Sequence, residues 1–407
     1  MHEHFDAGRA FHHIEMLARL RRLPGTPGEV EAQEYLAGAG EEMGLPLERQ
    51  GFTYSTWPLT VFLPLICLGL AALSVIGSLT YLWGTAWTAL PGGLLLLAIY
   101  GSFRWSGAFE RFAASGGRYL SANLVGHVPS NRSKGTILLS AHYDSKSQLM
   151  PVVVRAALFM LGFFGAILLG LTLLVVGVMS AAGSDVLGSS AGFWVSLVPA
   201  LFLVLLVFNF TGNSSPGALD NASGEGVILE VARVLLSHPL ENFDVVVASF
   251  GCEEVGLVGS IRYLLDHEEE LKEHPFYMLN FDMPFSPGGR LFLNTGFEVP
   301  PRWTSEHIND LARASSEKMG FEIRGIYLPV GAAADHMPWS KHGFEATGFV
   351  SAATHVHRST DDIEKINREA LRRTGEVALS VVRLLDQELS AEGSGVTDLS
   401  DLSDITS

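Results

Sequence analysis

The sequence predicts an α/β protein with a mixed, mostly parallel central sheet, helices on both faces of it, and two inserted transmembrane helical hairpins. Strand-like and helix-like segments alternate along the polar parts of the chain, which is typical of largely parallel sheets. Only 17% of the 407 residues are charged, whereas soluble domains average about 25%. The mean hydropathy of +0.27 points the same way, so part of the chain is expected to lie in lipid.

The charge balance and the cysteine count exclude several classes of protein. The chain has 43 acidic and 27 basic residues and a net charge of −16, which argues against nucleic acid as the main partner. Its two cysteines, Cys67 and Cys252, are too few for a disulfide scaffold or a cysteine-type zinc site. We therefore expect both to be reduced thiols.

Three long runs contain no Asp, Glu, Lys or Arg: Gln50–Phe103, Ala156–Ser184 and Val186–Leu219. Buried helices of a soluble core are the alternative interpretation, but such helices rarely stay uncharged for so long. A bilayer-spanning helix needs about 20 apolar residues, so the runs predict four spans: Leu59–Tyr81, Ala86–Phe103, Ala156–Met179 and Ala191–Asn209. The Pro91-Gly92-Gly93 sequence lowers the helix stability of the second span, although membranes tolerate such residues.

The four spans form two hairpins, each of which returns to the side that it left. The hairpin tips, Leu82–Thr85 and Ala181–Ser190, contain no Lys or Arg, whereas the polar segments between the hairpins are rich in both. The positive-inside rule then places the polar parts in the cytoplasm. Residues 1–20 lack the apolar core of a secretory signal peptide, and we expect a multi-pass integral membrane protein.

The polar remainder is expected to form one domain from three pieces of chain. These pieces are residues 1–57, 104–151 and 212–390; the hairpins occupy 58–103 and 152–211, and 391–407 form a disordered acidic tail.

The individual elements follow from local signals. Apolar runs bounded by turn residues predict strands, and amphipathic stretches after Pro, Gly or Ser predict helices. In chain order the elements are helix Glu29–Met43, strands Leu47–Tyr54, Tyr119–His127 and Gly135–His142, helix Gly224–Leu236, strand Phe243–Phe250, helix Leu257–Leu271, strand Phe276–Asp282, helix Thr304–Met319, strand Gly343–Ser351 and helix Ile366–Leu389.

Polar residues cluster after several of these strands, where α/β proteins build their sites. His142 and Asp144 are two apart on extended chain and share a face, so the carboxylate could orient a ligand histidine; a solvated pair is the alternative. Asp220 lies in a Gly/Asn/Ser-rich turn before a helix, where a simple cap is the alternative.

Three further clusters contain acids or histidines. Glu253 and Glu254 directly follow an apolar strand and suggest one ligand and one general base. The alternative is that the two acids only stabilise the N-terminus of a helix. Asp282 is a lone acid in an apolar strand and needs a partner or a metal. His355 or His357 is a further ligand. Such a mixed N/O set suits zinc, and a carboxylate-rich set suits two ions that share one Asp.

In order and spacing, these segments resemble the dizinc exopeptidases of peptidase family M28, which include bacterial leucyl aminopeptidases and glutamate carboxypeptidase. The resemblance covers the whole polar part. It rests on His142-x-Asp144, Asp220-Asn221-Ala222-Ser223-Gly224, Glu253-Glu254-x-Gly256-Leu257-x-Gly259-Ser260, Asn280-Phe281-Asp282-Met283 and His357, with Arg22-Leu23-Pro24-Gly25-Thr26 and Ala334-Asp335-His336 as further similar segments.

The resemblance implies the zinc-exopeptidase fold, two zinc ions and a role for each site residue. Asp220 would bridge the metals, Glu253 would be the general base, and Asp144 would orient His142. The remaining ligands would be His142 and Asp282 at one metal, and Glu254 and His357 at the other. His357 is preferred to His355 because it stands four residues before Asp361, and the Asp220–Asn221 bond is expected to be cis.

The implied function is a membrane-anchored exopeptidase, of the aminopeptidase type, that hydrolyses peptides with a dimetal-activated water. Soluble relatives lack the hairpins, and their link between the His-x-Asp strand and the bridging Asp is short. If the strands before the two hairpins run in the same direction, the site faces the bilayer, and its substrates could be peptides at the membrane surface. Oligomeric state is not indicated.

Other functions remain open at this stage. A non-catalytic membrane scaffold or receptor, or a single-zinc glutaminyl-cyclase-like transferase, could use the same fold. A serine hydrolase is disfavoured because no G-x-S-x-G elbow is present, and a transporter is disfavoured because the spans carry no charge.

Overall fold

The computed structural model describes residues 4–104, 106–184, 189–328, 332–351 and 354–394. Its strands are β1 (Glu48–Tyr54), β2 (Tyr119–Val128), β3 (Gly135–His142), β4 (Ser147–Gln148), β5 (Thr211–Gly212), β6 (Phe243–Phe250), β7 (Phe276–Asp282), β8 (Leu291–Phe297), β9 (Arg302–Trp303), β10 (Ile323–Leu328) and β11 (Glu345–Val350). Nine of them form one sheet in the order β1-β2-β6-β3-β7-β11-β8-β10, with β9 against β8, while β4 and β5 form a separate ribbon.

The strand directions place both hairpins at one edge of the sheet. Strands β6, β3, β7 and β11 are parallel, and β1 and β6 each pair with β2 in antiparallel fashion. Because β1 and β6 are both antiparallel to β2, β1 runs in the same direction as β6 and β3. The strands that precede the two hairpins therefore end at the same edge, which also carries the carboxyl ends of the parallel strands.

Both faces of the sheet are buried, which confirms the predicted fold class. Ile137 and Leu139 of β3 pack into one core cluster and Leu138 into another, as the alternation of side chains along a strand requires. The helices are α1 (Ala7–Ala18), α2 (Pro27–Met43), α3 (Leu63–Leu82), α4 (Ala89–Arg104), α5 (Ser106–Ala113), α6 (Val152–Ala181), α7 (Ser190–Ser196), α8 (Val198–Val207), α9 (Ser223–Ser237), α10 (Val258–Leu271), α11 (Glu306–Lys318), α12 (His336–Lys341) and α13 (Arg368–Ser394). Helices α1, α9, α11 and α13 cover the first face, and α10 and α12 cover the second.

The apolar helices differ from the predicted spans in two respects. Among the described residues, three helical segments are long and apolar enough to cross a bilayer: Pro58–Leu82, Val152–Ala181 and Ser190–Val207. The segment predicted as the second span is a shorter apolar helix, Ala86–Ser102, which rises about 25 Å, less than the roughly 30 Å hydrocarbon core. The last segment is divided at Leu197, just before Pro199, because proline interrupts helical hydrogen bonding.

The apolar helices pack into one bundle through closely approaching backbones. A Cβ atom at Gly92 of α4 would lie 2.8 Å from the carbonyl oxygen of Gly170 in α6, and one at Gly177 of α6 would lie 2.2 Å from the amide nitrogen of Ala89. Small residues allow such contacts between membrane helices. The short α4 is therefore held mainly against α6.

Several elements were not predicted from the sequence, and one boundary was wrong. The elements that were missed are helices α1, α5 and α12 and strands β4, β5, β8, β9 and β10. Helix α13 extends to Ser394, so the predicted start of the tail at residue 391 was too early. The first polar residues assigned to the tail form the last turn of this helix. The rest of the predicted tail, 395–407, lies outside the described residues, as does part of the second hairpin tip, 185–188.

Glu29 is a buried acid in the first turn of α2, close to the edge of the sheet. Its carboxylate accepts hydrogen bonds from the hydroxyl of Ser121 at 2.5 Å and from the amide of Gly25 at 2.6 Å. Burial raises the pKa of Glu29 to about 7, although the two hydrogen bonds oppose this shift. The folded state therefore holds this proton to higher pH than the unfolded chain does.

We predict that Glu29→Gln reduces the pH dependence of stability between about pH 4.5 and 7. In the wild type, the unfolded carboxyl releases its proton first as the pH rises, so the free energy of unfolding falls across this window by up to about 3 kcal/mol. Unfolding midpoints at pH 5 and pH 7.5 would measure the effect. The exposed Glu31 on the same helix gives the matched control, Glu31→Gln; equal pH dependence in both variants would contradict the prediction.

Candidate metal centre

Four predicted site residues lie where parallel strands end at one edge of the sheet. His142 is the last residue of β3 and Asp282 is the last residue of β7. Glu253 and Glu254 form a short 3₁₀ turn just after β6. Because parallel strands present their carboxyl ends at one edge, residues that are far apart in sequence converge there.

Asp220 reaches this edge from the turn Ala218–Ala222, which leads from the second hairpin into α9. The Asp220–Asn221 bond is cis, as the resemblance implied. The Asn221 amide donates to the carbonyl of Phe281 on β7 at 2.7 Å. A Cβ atom at Gly224 would lie 2.2 Å from that same carbonyl, so only glycine lets the turn approach the strand this closely.

Two groups of three buried ligand atoms share Asp220, and the donor atoms within each group lie within 4.8 Å of one another. In the first group, the Nε2 atom of His142 lies 3.2 Å from Oδ1 of Asp220 and 3.6 Å from Oδ1 of Asp282. In the second group, the Nε2 atom of His357 lies 3.1 Å from Oδ2 of Asp220 and 3.2 Å from Oε2 of Glu254. Asp220 thus presents one carboxylate oxygen to each group.

The hydrogen bonds of both histidines leave Nε2 available as a metal ligand. The Nδ1 atom of His142 donates to the backbone carbonyl of Asp144 at 3.1 Å, and that of His357 donates to Oε1 of Gln148 at 2.9 Å. A proton on Nδ1 leaves the lone pair on Nε2. Nε2 of His142 has no hydrogen-bond partner although it is buried, so the residues present fit a cation at this position.

The carboxylate of Asp144 lies closer to the turn that carries the two glutamates than to His142. Its Oδ1 atom lies 3.7 Å from Nδ1 of His142, and the histidine is held by the backbone carbonyl of Asp144. The carboxylate instead accepts the backbone amides of Glu253 at 3.1 Å and Glu254 at 3.0 Å. Asp144 thus orients His142 with its backbone and fixes the Glu253–Glu254 turn with its side chain.

The two adjacent glutamates occupy different electrostatic environments. Glu253 belongs to neither ligand group; its Oε2 atom lies 3.9 Å from Nε2 of His142, and burial raises its pKa well above the ordinary range. Burial opposes ionisation of Glu254 as well, but His357 and Lys146 outweigh it and hold the pKa of Glu254 at about 2. Environments that separate two neighbouring carboxyls in this way suit one ligand and one proton carrier.

Two residues near the second group carried no signal in the sequence. The ammonium of Lys146 lies 2.7 Å from Oε2 of Glu254, and Gln148 contacts His357. Both lie in the segment after β3 that leads to the second hairpin. His355, the alternative to His357, is half-buried and contacts Thr360 instead.

Comparison with known proteins finds similarity to one peptidase family over part of the chain. Residues 199–382 match the model of Peptidase family M28. Over 180 residues the chain is 33% identical to Aminopeptidase YwaD of Bacillus subtilis, covering 41% of this chain and 37% of that protein. A probable lipoprotein aminopeptidase, LpqL, of Mycobacterium tuberculosis is 26% identical over 202 residues, covering 43% of this chain and 40% of that protein.

The match to Peptidase family M28 covers residues 199–382, a little under half of the chain. The predicted resemblance is thereby confirmed, although the alignments span only about two fifths of the length of these relatives. The fold is also that of BSAP, a zinc aminopeptidase from Bacillus subtilis, with a TM-score of 0.56 at 17% identity over 95% of this chain and 96% of that chain.

The matched M28 segment contains Asp220, Glu253, Glu254, Asp282 and His357, whereas His142 and Asp144 precede it in the sequence. The fold nevertheless brings His142 to Asp220. The second hairpin separates the two parts of the site in sequence but not in space.

Arg22 ties the turn of the M28 segment to the earlier part of the chain. Its guanidinium is fully buried and donates to the backbone carbonyls of Leu17, Tyr143, Pro216 and Gly217 at 2.6–2.8 Å. Asp361 supports the same turn, because its carboxylate accepts the backbone amides of Leu219 and Asp220. The bridging Asp220 is thus held in place from two sides.

We predict that Arg22→Met destabilises the protein by at least about 3 kcal/mol, because it leaves several buried carbonyls without a donor. Arg22→Lys should rescue little, since an ammonium cannot replace the planar fork of donors. Denaturant unfolding of the full chain would measure both. The neighbouring Arg21 has an exposed side chain, and Arg21→Met should stay within about 0.5 kcal/mol of wild type. A similarly small change in Arg22→Met would refute the role of Arg22.

Proposed function

We propose that the protein is a membrane-anchored, zinc-dependent aminopeptidase that uses two metal ions. The observation that carries this proposal is the pair of buried ligand groups that share Asp220. Two histidines and three carboxylates suit zinc, and one carboxylate oxygen facing each group suits a pair of ions. His142, Asp220 and Asp282 would hold one ion; Asp220, Glu254 and His357 would hold the other.

Zinc ions bound there would supply Lewis-acid chemistry, polarising a peptide carbonyl and lowering the pKa of a water molecule. The chain itself supplies the proton carrier. Glu253 lies beside His142 without belonging to either ligand group. Its carboxylate would accept a proton from the attacking water and return it to the leaving amine as the C–N bond breaks. Asp144 holds the Glu253 backbone amide, which keeps this carboxylate at the site.

The preference for amino-terminal cleavage rests on the relatives. YwaD and LpqL both carry the name aminopeptidase. The fold alone does not decide the reaction, because a glutaminyl cyclase from Bacteroides thetaiotaomicron shares it, with a TM-score of 0.52 at 14% identity over 93% of this chain and 98% of that chain. The second ligand group around Asp220 favours a two-metal hydrolase over a single-zinc transferase, and the full ligand set disfavours a non-catalytic scaffold.

We predict that Glu253→Gln lowers turnover of an aminoacyl-amide panel by roughly 10²–10⁴-fold, the usual contribution of a general base, while the bound zinc is retained. The measurements are initial rates and metal content of the full-length protein in lipid nanodiscs. Glu269→Gln, at an exposed position on α10, is the matched control and should be fully active.

Other outcomes of this experiment would contradict the proposal. Equal turnover by wild type and Glu253→Gln would remove the general-base role. Cyclisation of glutaminyl peptides without hydrolysis would indicate the transferase. No zinc and no turnover in the wild type would leave a non-catalytic scaffold.

We also propose that the apolar bundle spans a bilayer. Three segments have the length and composition of membrane spans, and exposed tryptophans lie both near the hairpin tips and at the opposite end of the first segment. Trp83, Trp87 and Trp194 are exposed near the hairpin tips, and Trp57 is exposed where the first hairpin leaves β1. Tryptophan is enriched at both membrane–water interfaces, so these positions support a bundle that crosses the membrane.

A cytoplasmic orientation of the peptidase domain is supported by basic residues at the helix ends nearest that domain. Arg104 ends α4 and Arg155 lies in the first turn of α6, whereas the described parts of the tips contain no Lys or Arg. This asymmetry supports a cytoplasmic peptidase domain. Because both hairpins leave the edge that carries the ligand groups, the site would face the bilayer, and its substrates would be peptides near the membrane surface.

The orientation predicts opposite labelling of two introduced cysteines. In spheroplasts, a membrane-impermeant maleimide should label Ala86→Cys at the first tip, and should label Glu269→Cys on the peptidase domain only after the membrane is opened. The native Cys67 and Cys252 are buried, so their background labelling should be low. The reverse pattern would place the peptidase domain outside.

A further inference from the structure

The second hairpin joins the peptidase domain through two short chain segments, residues 147–151 and 208–212, which we call the neck. Strands β4 and β5 pair in antiparallel fashion across it, and the Leu149 amide donates to the Phe210 carbonyl at 3.0 Å. Helix α6 begins at Val152, four residues after β4. A membrane span therefore starts within a few residues of the strand ribbon that lies beside the metal centre.

Gln148, at the end of β4, holds His357 at two points. Its Oε1 atom accepts from Nδ1 of His357 at 2.9 Å, and its backbone amide donates to the His357 carbonyl at 2.9 Å. These bonds fix both the position of the His357 backbone and the rotation of its ring. Nε2 is left directed at Asp220 and Glu254.

Gln148 is itself fixed by a residue of the membrane-inserted helix. Nη1 of Arg155, in the first turn of α6, donates to the same Oε1 atom at 2.6 Å. The amide oxygen thus accepts two hydrogen bonds, one from the metal-centre histidine and one from the hairpin. Arginine keeps its charge under ordinary conditions, so this anchor does not depend on a change of protonation.

His142, the other histidine of the centre, is positioned by residues outside the second hairpin and its neck. Nδ1 of His142 donates to the backbone carbonyl of Asp144, which lies in the loop directly after β3. A change in the neck would therefore reach the group that contains His357 and spare the group that contains His142. This difference separates a specific positioning role from a general effect on folding.

We propose that Gln148 is a positioning residue that, together with Arg155, couples the membrane-inserted hairpin to His357 and sets the cation affinity of the Asp220–Glu254–His357 group. This inference rests on the proposed two-metal function and adds to it the way in which one metal site depends on the membrane anchor. Partners that fix the second nitrogen of a ligand histidine typically change metal affinity by 10- to 100-fold.

The test measures stepwise zinc affinity of the full-length protein in nanodiscs, by competition with a chromophoric chelator. In Gln148→Leu, one of the two binding steps should weaken at least tenfold, while the other stays within threefold of wild type. Gln148→Glu keeps an oxygen that can accept from both His357 and Arg155, so it should retain both steps within threefold. Arg155→Met should weaken the same step as Gln148→Leu, and Arg324→Met, at an exposed arginine far along the chain on β10, should change neither.

The possible results are distinguishable. Two unchanged steps in Gln148→Leu, or equal weakening of both steps, would overturn the inference while leaving the proposed function intact. Loss of affinity in Gln148→Glu to the level of Gln148→Leu would also overturn it. A wild-type protein that binds no zinc would overturn the proposed function and this inference together. Thermal unfolding midpoints within about two degrees of wild type would show that the variants are folded.

Discussion

The structure depends on the burial of several carboxylates at one edge of the sheet. Asp220, Glu253, Glu254 and Asp282 all have side chains that are less than a tenth exposed. They surround His142 and His357, and the ammonium of Lys146 lies against Glu254. Removing such anions from water is expensive unless opposite charge compensates them. Backbone amides donate hydrogen bonds to some of these carboxylate oxygens. Within each ligand group, however, the carboxylate oxygens lie within 4.8 Å of one another and of the histidine Nε2. The proposed metal ions would supply the missing positive charge.

The rest of the fold brings these groups together. Parallel strands deliver His142 and Asp282, a short turn after β6 delivers the two glutamates, and Arg22 and Asp361 hold the turn that carries Asp220. The apolar hairpins leave from this same edge, because β1 and β3 run in the same direction. The second hairpin was inserted between two parts of one site, and its neck lies against His357. The proposed membrane anchor and the proposed metal centre are therefore connected through the neck.

Much of this arrangement could be predicted from the sequence, for identifiable reasons. The bounds of β3, β6 and β7 were predicted correctly, because buried strands read as uninterrupted apolar runs between turn residues. The predicted ligands lie next to those runs or in short motifs, and their convergence follows from strand direction. Strands β8 and β10 were missed because they lie towards the edge of the sheet, where β10 is largely unburied and its sequence is interrupted by Arg324 and Gly325. Contacts such as those of Lys146 and Gln148 depend on the path of the neck in three dimensions, and no local pattern signals them. The hydrogen bonds from the Glu253 and Glu254 backbone amides to Asp144 were not predicted, because sequence spacing shows which groups are near one another but not how each side chain is rotated.

The most direct test of the paired-cation account is anomalous diffraction from crystals of the full-length protein, recorded on both sides of the zinc absorption edge. The account predicts two zinc peaks, one among His142, Asp220 and Asp282 and the other among Asp220, Glu254 and His357. A single peak would contradict the paired arrangement, and the absence of zinc from both positions would contradict the metal centre itself.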